Sequence, residues 1–159
     1  PRAFVWGFLG MFIFFAFFIF KAGVSAMLEN VFGLEGAVAA LKGDFTTTKL
    51  LTSFFVSAFL NIIFAPVMMT FHKITDSHIE RNGGNLSCLA KCIPMGPIMT
   101  DINWKVQWGF VFKKTIPFFW IPAHTITFIL PGEFQVLFAA LLGVVLGVIL
   151  AVASQMGKK

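Results

Sequence analysis

The sequence predicts an all-α integral membrane protein with four transmembrane helices and both termini on the same side of the membrane. Apolar residues make up 58% of the 159 residues and charged residues only 12%, whereas soluble domains carry roughly 25% charged residues. A soluble domain of this size could not bury so much apolar surface, and the same composition excludes a disordered chain. The apolar residues also fall into long uncharged runs, and the cations between those runs are unevenly distributed.

The uncharged runs predict four spans within a single membrane domain, residues 1–159. A helix needs about 20 apolar residues to cross a hydrocarbon core of about 30 Å. The first run reaches this length if it continues past Lys21, because a lysine near a helix end can extend toward the interface. The third run contains Pro117 and Pro122 and is the least regular. The predicted spans are about 4–28, 50–71, 115–131 and 134–154.

The connections between the spans are expected to be polar or short. Residues 72–114 are predicted to form a polar inside loop, with a turn at the Asn-Gly-Gly-Asn sequence 82–85 and a chain breaker at 94–97. A tight turn is expected at Gly132 and Glu133. Residues 29–49 allow two interpretations, a short amphipathic helix on the membrane surface or an ordinary loop. The helical interpretation depends on the spacing of Val31, Leu34, Val38 and Leu41.

The distribution of Lys and Arg predicts the orientation of the helices. Nine of these residues fall at the termini or in the loop 72–114, and three fall on the other side, at Lys21, Lys42 and Lys49. Loops rich in Lys and Arg stay on the cytoplasmic side, so both termini and the middle loop are expected on the cytoplasmic or matrix side. The net charge of +5 thus reflects the excess of Lys and Arg on the cytoplasmic side. We therefore expect the lipid bilayer, not nucleic acid, as the partner.

Polar residues within the second and third spans are the candidate functional residues. Ser53, Ser57 and Asn61 are spaced four apart, and His124 and Thr127 share one face of the third span with Trp120 and Pro131. A polar group in hydrocarbon is unfavourable unless it is paired, so these side chains should face protein or water. Asn61 and His124 are expected at similar depth, close to each other or lining one cavity. The alternatives are a polar pathway and hydrogen bonding that only joins the helices.

The fourth span carries small residues at every fourth position. Small residues allow two membrane helices to approach closely. The pattern therefore predicts a packing face, either within the molecule or between two copies as a homo-oligomer. Its members are Ala139, Gly143, Gly147 and Ala151.

Metal binding and catalysis receive little support from the sequence. The residue types at His72, His78, Cys88 and Cys92 suit zinc, but their spacing does not correspond to a standard zinc site. We therefore expect no metal and no cofactor. Phosphate-binding loops, nucleophile elbows, metalloprotease motifs and paired intramembrane carboxylates do not occur in the sequence, so no enzymatic activity is expected.

Two stretches resemble conserved segments of the Mpv-seventeen and peroxisomal membrane protein twenty-two family. Residues 65–76, APVMMTFHKITD, are similar to its G-P-x-x-x-x-[WY]-Y-K-x-L-D segment. Residues 120–136 resemble W-P-x-x-Q-x-x-N-F-x-x-V-P-x-x-[YH]-R-[VL], with His124 in place of Gln, Thr127 in place of Asn and Gln135 in place of Arg. The family's W-N-x-x-L-S segment has no counterpart. The resemblance implies four membrane helices, no established enzyme activity, and a small channel or permeability protein.

These observations lead to one functional expectation and one alternative. The expectation is a small membrane channel or transport-associated protein that affects the permeability of the membrane to small solutes or ions. The alternative is a non-catalytic subunit or scaffold of a membrane complex. The resemblance implies a peroxisomal or inner mitochondrial membrane in a eukaryote, and a bacterial member would lie in the plasma membrane.

Overall fold

The computed structural model describes residues 1–156, except for the side chains of 136, 140, 146, 147 and 149–156. All regular structure in residues 1–156 is helical. Two of the helices are long and apolar enough to cross a membrane. The α-helices are α1 (Arg2–Asn30), α2 (Ala37–Ala40), α3 (Thr47–Phe59), α4 (Ala65–Arg81), α5 (Met95–Asp101), α6 (Trp104–Val106), α7 (Ile121–Ile129) and α8 (Gly132–Met156).

The first long helix, α1, contains 29 residues and is about 44 Å long at 1.5 Å per residue. Only 11% of its most apolar window is buried, and phenylalanines such as Phe4 and Phe18 are about two-thirds exposed, at 67% and 69%. The helix ends before Gly33 and Gly36, which both adopt a positive φ that other residues rarely adopt.

The connection after α1 is closer to the predicted loop than to the predicted amphipathic helix. Only the single turn α2 is helical. Ala37 and Leu41 pack into the core, but Val31 is 72% exposed. The apolar residues of this segment therefore do not share one helical face.

The second long helix runs without a break from Thr47 to Arg81 through α3, a π-helical segment at Leu60–Phe64, and α4. It begins at Thr46, whose side chain accepts a hydrogen bond from the Lys49 amide at 3.1 Å. The π turn precedes Pro66, which lacks the amide proton needed for the regular helical ladder. The helix extends ten residues beyond the predicted boundary at 71, because the first glycines that break it are Gly83 and Gly84, at the predicted turn.

The segment 72–114 is more ordered than the polar loop that the sequence suggests. It contains the end of α4, a 3₁₀ turn at Leu86–Ala90, α5, α6 and the start of a second π-helical segment at Gln107–Trp120. A small apolar cluster of Ile74, Ile98 and Ile102 joins α4 to α5, and Arg81 forms an ion pair with Asp101. Apolar residues are too few and too scattered in this segment for the sequence to predict these contacts.

The third helical run comprises α6, the second π-helical segment and α7, and it begins eleven residues before the predicted span. Pro117 lies inside the π segment and Pro122 lies in the first turn of α7. Each proline lacks an amide proton, so the regular hydrogen-bond ladder is interrupted twice. The chain then reverses at Leu130 and Pro131, just before the predicted turn, and α8 begins at Gly132.

The main core lies where α1, α3 and α7 meet. Phe128 of α7 is completely buried and is surrounded by apolar residues of the other two helices and of the α2 turn. At the opposite end of α1, Arg2 forms ion pairs with Glu80 at 2.9 Å and Asp76 at 3.8 Å. The start of α1 is thereby held beside the end of α4.

Candidate functional site

A row of polar side chains on α3 and the following π turn faces the interior of the molecule. Ser53 and Ser57 are completely buried, and Asn61 is only 1% exposed. They are four residues apart and lie on one side of the helix. α3 packs along α7, and this row together with the α7 residues that it contacts is called the polar seam below.

Asn61 and His124 meet in the polar seam, which confirms the predicted approach of these two residues. The Asn61 amide nitrogen donates to the Ser57 carbonyl oxygen at 2.8 Å and lies 3.0 Å from Nδ1 of His124. The amide has two protons, so it can satisfy both acceptors at once. Nδ1 also lies 3.2 Å from the Asn61 side-chain oxygen, so the amide offers this ring nitrogen a donor or an acceptor, according to which nitrogen of the imidazole carries the proton.

A second link joins the helices one turn away. The Ser57 hydroxyl donates to the carbonyl oxygen of Ile121 at 2.7 Å. The same oxygen accepts a hydrogen bond from the Thr125 hydroxyl, also at 2.7 Å. Pro122 follows Ile121 directly and brings no amide proton of its own to this turn.

Aromatic rings enclose His124 on three sides. Trp120 stacks on the imidazole with ring centroids 5.3 Å apart, and Phe17 of α1 meets it edge-on at the same distance. Phe128 lies one turn further along α7, with ring centroids 6.3 Å apart. His124 therefore marks the point where three helices converge. Trp120 thus packs against His124.

Thr127 lies on the buried side of α7 but does not join Asn61. Its side chain is completely buried, and its hydroxyl donates to the Ala123 carbonyl oxygen of its own helix at 3.0 Å. Of the five residues predicted to form the polar face, Ser57, Asn61 and His124 form one hydrogen-bonded group.

Three buried polar atoms in or beside the polar seam have no hydrogen-bond partner among the described residues. They are the hydroxyl oxygens of Thr52 and Ser53 and the indole nitrogen of Trp120. Ser53 lies one turn from Ser57, and Trp120 lies one turn from His124. The fourfold spacing predicts Ser53, and the helical spacing places Trp120 on the face of His124. Thr52 belongs to neither pattern.

The four residues that suit zinc by type are used separately. His78 contacts the Cys88 carbonyl oxygen through Nε2 at 3.0 Å, while Cys92 is exposed. His72 lies against the ring of Trp6, with centroids 4.3 Å apart, and 3.5 Å from a carboxylate oxygen of Asp76. Within the described part of the chain, no three His, Cys, Asp or Glu side chains are grouped as metal ligands would be.

The small-residue face of α8 is only partly described. Ala139 is half-buried and Gly143 is exposed. No described atom lies within 4 Å of the position that a Cβ of Gly143 would occupy, so this glycine does not pack against another described helix. The side chain of Ala151 and the surroundings of Gly147 lie outside the described residues.

A second polar contact, which the sequence does not predict, joins Lys21 to Gln135. The Lys21 ammonium donates to the Gln135 side-chain oxygen at 2.9 Å, and the Gln135 amide donates to the Leu130 carbonyl oxygen at 2.8 Å. A lysine within an otherwise uncharged apolar run is unfavourable without a polar neighbour, and that signal could have prompted a search for one. Gln135 lies 114 residues away from Lys21, and no pattern in the sequence identifies it as the partner.

Comparisons of the chain with family models, with curated proteins and with solved structures give no match.

Proposed function

We propose that the chain is an integral membrane protein that crosses the bilayer four times, through α1, the helix 47–81, the helical run 104–129 and α8. The outward phenylalanines of α1 support this proposal, because large apolar patches exposed on a monomer mark an interaction with lipid or another protein. The ion pairs of Arg2 with the end of α4 support a common side for the amino terminus and the loop 72–114.

We further propose that the protein affects the permeability of its membrane to small solutes or ions through the polar seam, and that it is transport-associated rather than catalytic. The single observation that carries this proposal is the set of unpaired buried atoms at Thr52, Ser53 and Trp120. Leaving a buried donor or acceptor unpaired costs about 1–3 kcal/mol. Two of these atoms lie on α3, two turns before Asn61, and the third lies one turn before His124. All three are accounted for if water or a polar solute enters the seam.

The resemblance to the Mpv-seventeen and peroxisomal membrane protein twenty-two family supports the same proposal. Trp120 and Phe128 carry part of that resemblance, and both contact His124. On this proposal His124 occupies the position of the family's Gln and provides a polar group in the same part of the third helix. The membrane is then that of a peroxisome or mitochondrion, or the plasma membrane of a bacterium.

The experiment is solute flux through proteoliposomes that contain the purified protein. We expect flux of small ions or polar solutes above that of empty liposomes, and at least a fivefold reduction in Asn61→Leu and His124→Phe. Phe54→Leu is the matched control, because Phe54 adjoins Ser53 but is 45% exposed, and its flux should equal that of the unmodified chain. Flux equal to that of empty liposomes in several lipid compositions would contradict the proposal.

A non-catalytic subunit or scaffold is the second candidate, and the exposed face of α8 favours it. Leu137, Leu141, Val144 and Val148 are 53–65% exposed at helical spacing, and Gly143 leaves open space beside them. A second copy or another membrane helix could pack here. Extraction in a mild detergent should then yield a stoichiometric partner or a homo-oligomer, and a monomer that supports flux would argue against this candidate.

A further inference from the structure

A cleft of about 420 Å³ lies between the middle of α1, the connection that carries α2, and the start of α8. It is separate from the polar seam apart from Phe17, whose ring contacts His124 and also lines the cleft. Its volume falls within the range of about 300–1,000 Å³ that is typical of small-molecule sites. The lining residues that matter here are Phe14, Phe17, Phe18, Lys21, Lys42 and Gln135.

One wall of the cleft is a single stripe of α1 with two chemical halves. Phe14, Phe17, Phe18 and Lys21 are separated by three, one and three residues, so they lie on one face of the helix. At 1.5 Å per residue, Lys21 lies roughly 10 Å along the helix axis from Phe14. The cleft is therefore apolar toward the first half of α1 and cationic toward its second half.

The cations of the cleft are positioned but not neutralised. Gln135 accepts one hydrogen bond from the Lys21 ammonium, which has three protons to donate. Lys42 lines the same cleft. No described carboxylate forms an ion pair with either lysine. Two like charges that share a cleft repel each other, and an anion bound between them would relieve that repulsion.

We propose that this cleft binds an anionic acyl lipid of the surrounding bilayer. Lys21 and Lys42 bind its carboxylate or phosphate headgroup, and the acyl chain lies along Phe14, Phe17 and Phe18. The order of the two halves supports a lipid over a small free anion, because the apolar wall continues directly from the cationic end. Phe14 and Phe18 are 60% and 69% exposed, so a lipid chain can reach them without rearranging the core.

Native mass spectrometry of the delipidated protein tests this proposal. The protein is offered equal amounts of phosphatidylglycerol and phosphatidylcholine with identical acyl chains. We expect about tenfold preferential retention of one phosphatidylglycerol. Lys42→Gln should reduce the preference at least threefold, and the double variant Lys21→Gln/Lys42→Gln should abolish it. Because Lys42 is exposed, its single variant remains informative if the double variant fails to fold.

Matched controls separate this cleft from general surface charge. Lys73→Gln/Lys105→Gln removes two exposed lysines outside the cleft and should leave the preference unchanged. Phe14→Ala/Phe18→Ala should weaken retention about fivefold, and Phe12→Ala/Phe15→Ala, on the same helix outside the lining, should not. Equal retention of both lipids by the unmodified chain, or an equal loss in both lysine double variants, would overturn the proposal.

A further experiment distinguishes a lipid headgroup from a free anion as the group bound in the cleft. Millimolar inorganic phosphate is added to the complex with phosphatidylglycerol at constant ionic strength. We expect no displacement, because phosphate lacks the acyl chain that contacts the phenylalanines. Displacement by phosphate that is unaffected by Phe14→Ala/Phe18→Ala would identify a simple anion site and overturn the assignment to a lipid.

Discussion

The polar seam and the cleft beside Lys21 place polar groups in an apolar molecule in opposite ways. In the seam, Asn61 is 1% exposed and bonds to Ser57 and His124. In the cleft, Lys21 is held by one neutral side chain, and its remaining protons face an open space. In the seam, Asn61, Ser57 and His124 pair with one another, and three other buried atoms are left without a described partner. In the cleft, neither lysine has an anionic partner among the described residues. Loss of a polar group should therefore affect stability most in the seam and ligand selectivity most in the cleft.

The largest effect on stability is expected for Asn61→Ala. This change removes the described side-chain partner of His124 Nδ1 and one donor to the Ser57 carbonyl, which keeps the Leu60 amide as its other donor. We expect a loss of about 2–3 kcal/mol in the free energy of unfolding, measured by denaturant unfolding in detergent.

Asn30→Ala is the control for this variant. Asn30 also donates to a carbonyl of its own helix, that of Ala26 at 2.9 Å, but at an exposed position. Surface changes of this kind usually stay within about 0.5 kcal/mol. Equal losses in the two variants would mean that the seam contributes no more than a surface contact.

Ser57→Ala and Ser53→Ala form a matched pair within the seam. Both side chains are completely buried on α3, but only Ser57 has a hydrogen-bond partner among the described residues. We expect Ser57→Ala to lower the free energy of unfolding by about 1 kcal/mol and Ser53→Ala to leave it nearly unchanged. The midpoints of thermal unfolding of the two variants provide the comparison, and the midpoint of Ser57→Ala should be the lower. A lower midpoint for Ser53→Ala would contradict the contacts described.

The smallest effect on stability is expected for Gln135→Ala in the cleft. Lys21 and the Leu130 carbonyl both lose a partner, but both are half-buried and can take up water. We expect a loss of about 0.5 kcal/mol in the same unfolding measurement. A loss as large as that of Asn61→Ala would show that the cleft is part of the closed core and would remove the contrast between the two regions.

The sequence predicted the polar seam better than it predicted the segments outside the apolar runs. The fourfold spacing of Ser53, Ser57 and Asn61 directly reflects helix geometry, and similar depth in two runs was enough to bring Asn61 near His124. The predicted end of the second helix, residue 71, falls ten residues short of Arg81 because it marks the end of the apolar run. The helix itself continues until the backbone leaves the helical conformation near Gly83 and Gly84. The contact between Lys21 and Gln135 depends on how α1, the α2 connection and the start of α8 pack together. Residue spacing within one segment does not predict that packing.

The entry of water into the polar seam is the central claim, and the reactivity of a cysteine at residue 53 tests it most directly. Ser53→Cys and Phe54→Cys are prepared with Cys88 and Cys92 replaced by serine, reconstituted in nanodiscs and treated with a small water-soluble thiol reagent. We expect the cysteine at 53 to react at least tenfold faster than the one at 54, because a thiol facing lipid forms no thiolate. Equal or absent reaction at both positions would show that water does not enter the seam, which would then be a dry contact between helices.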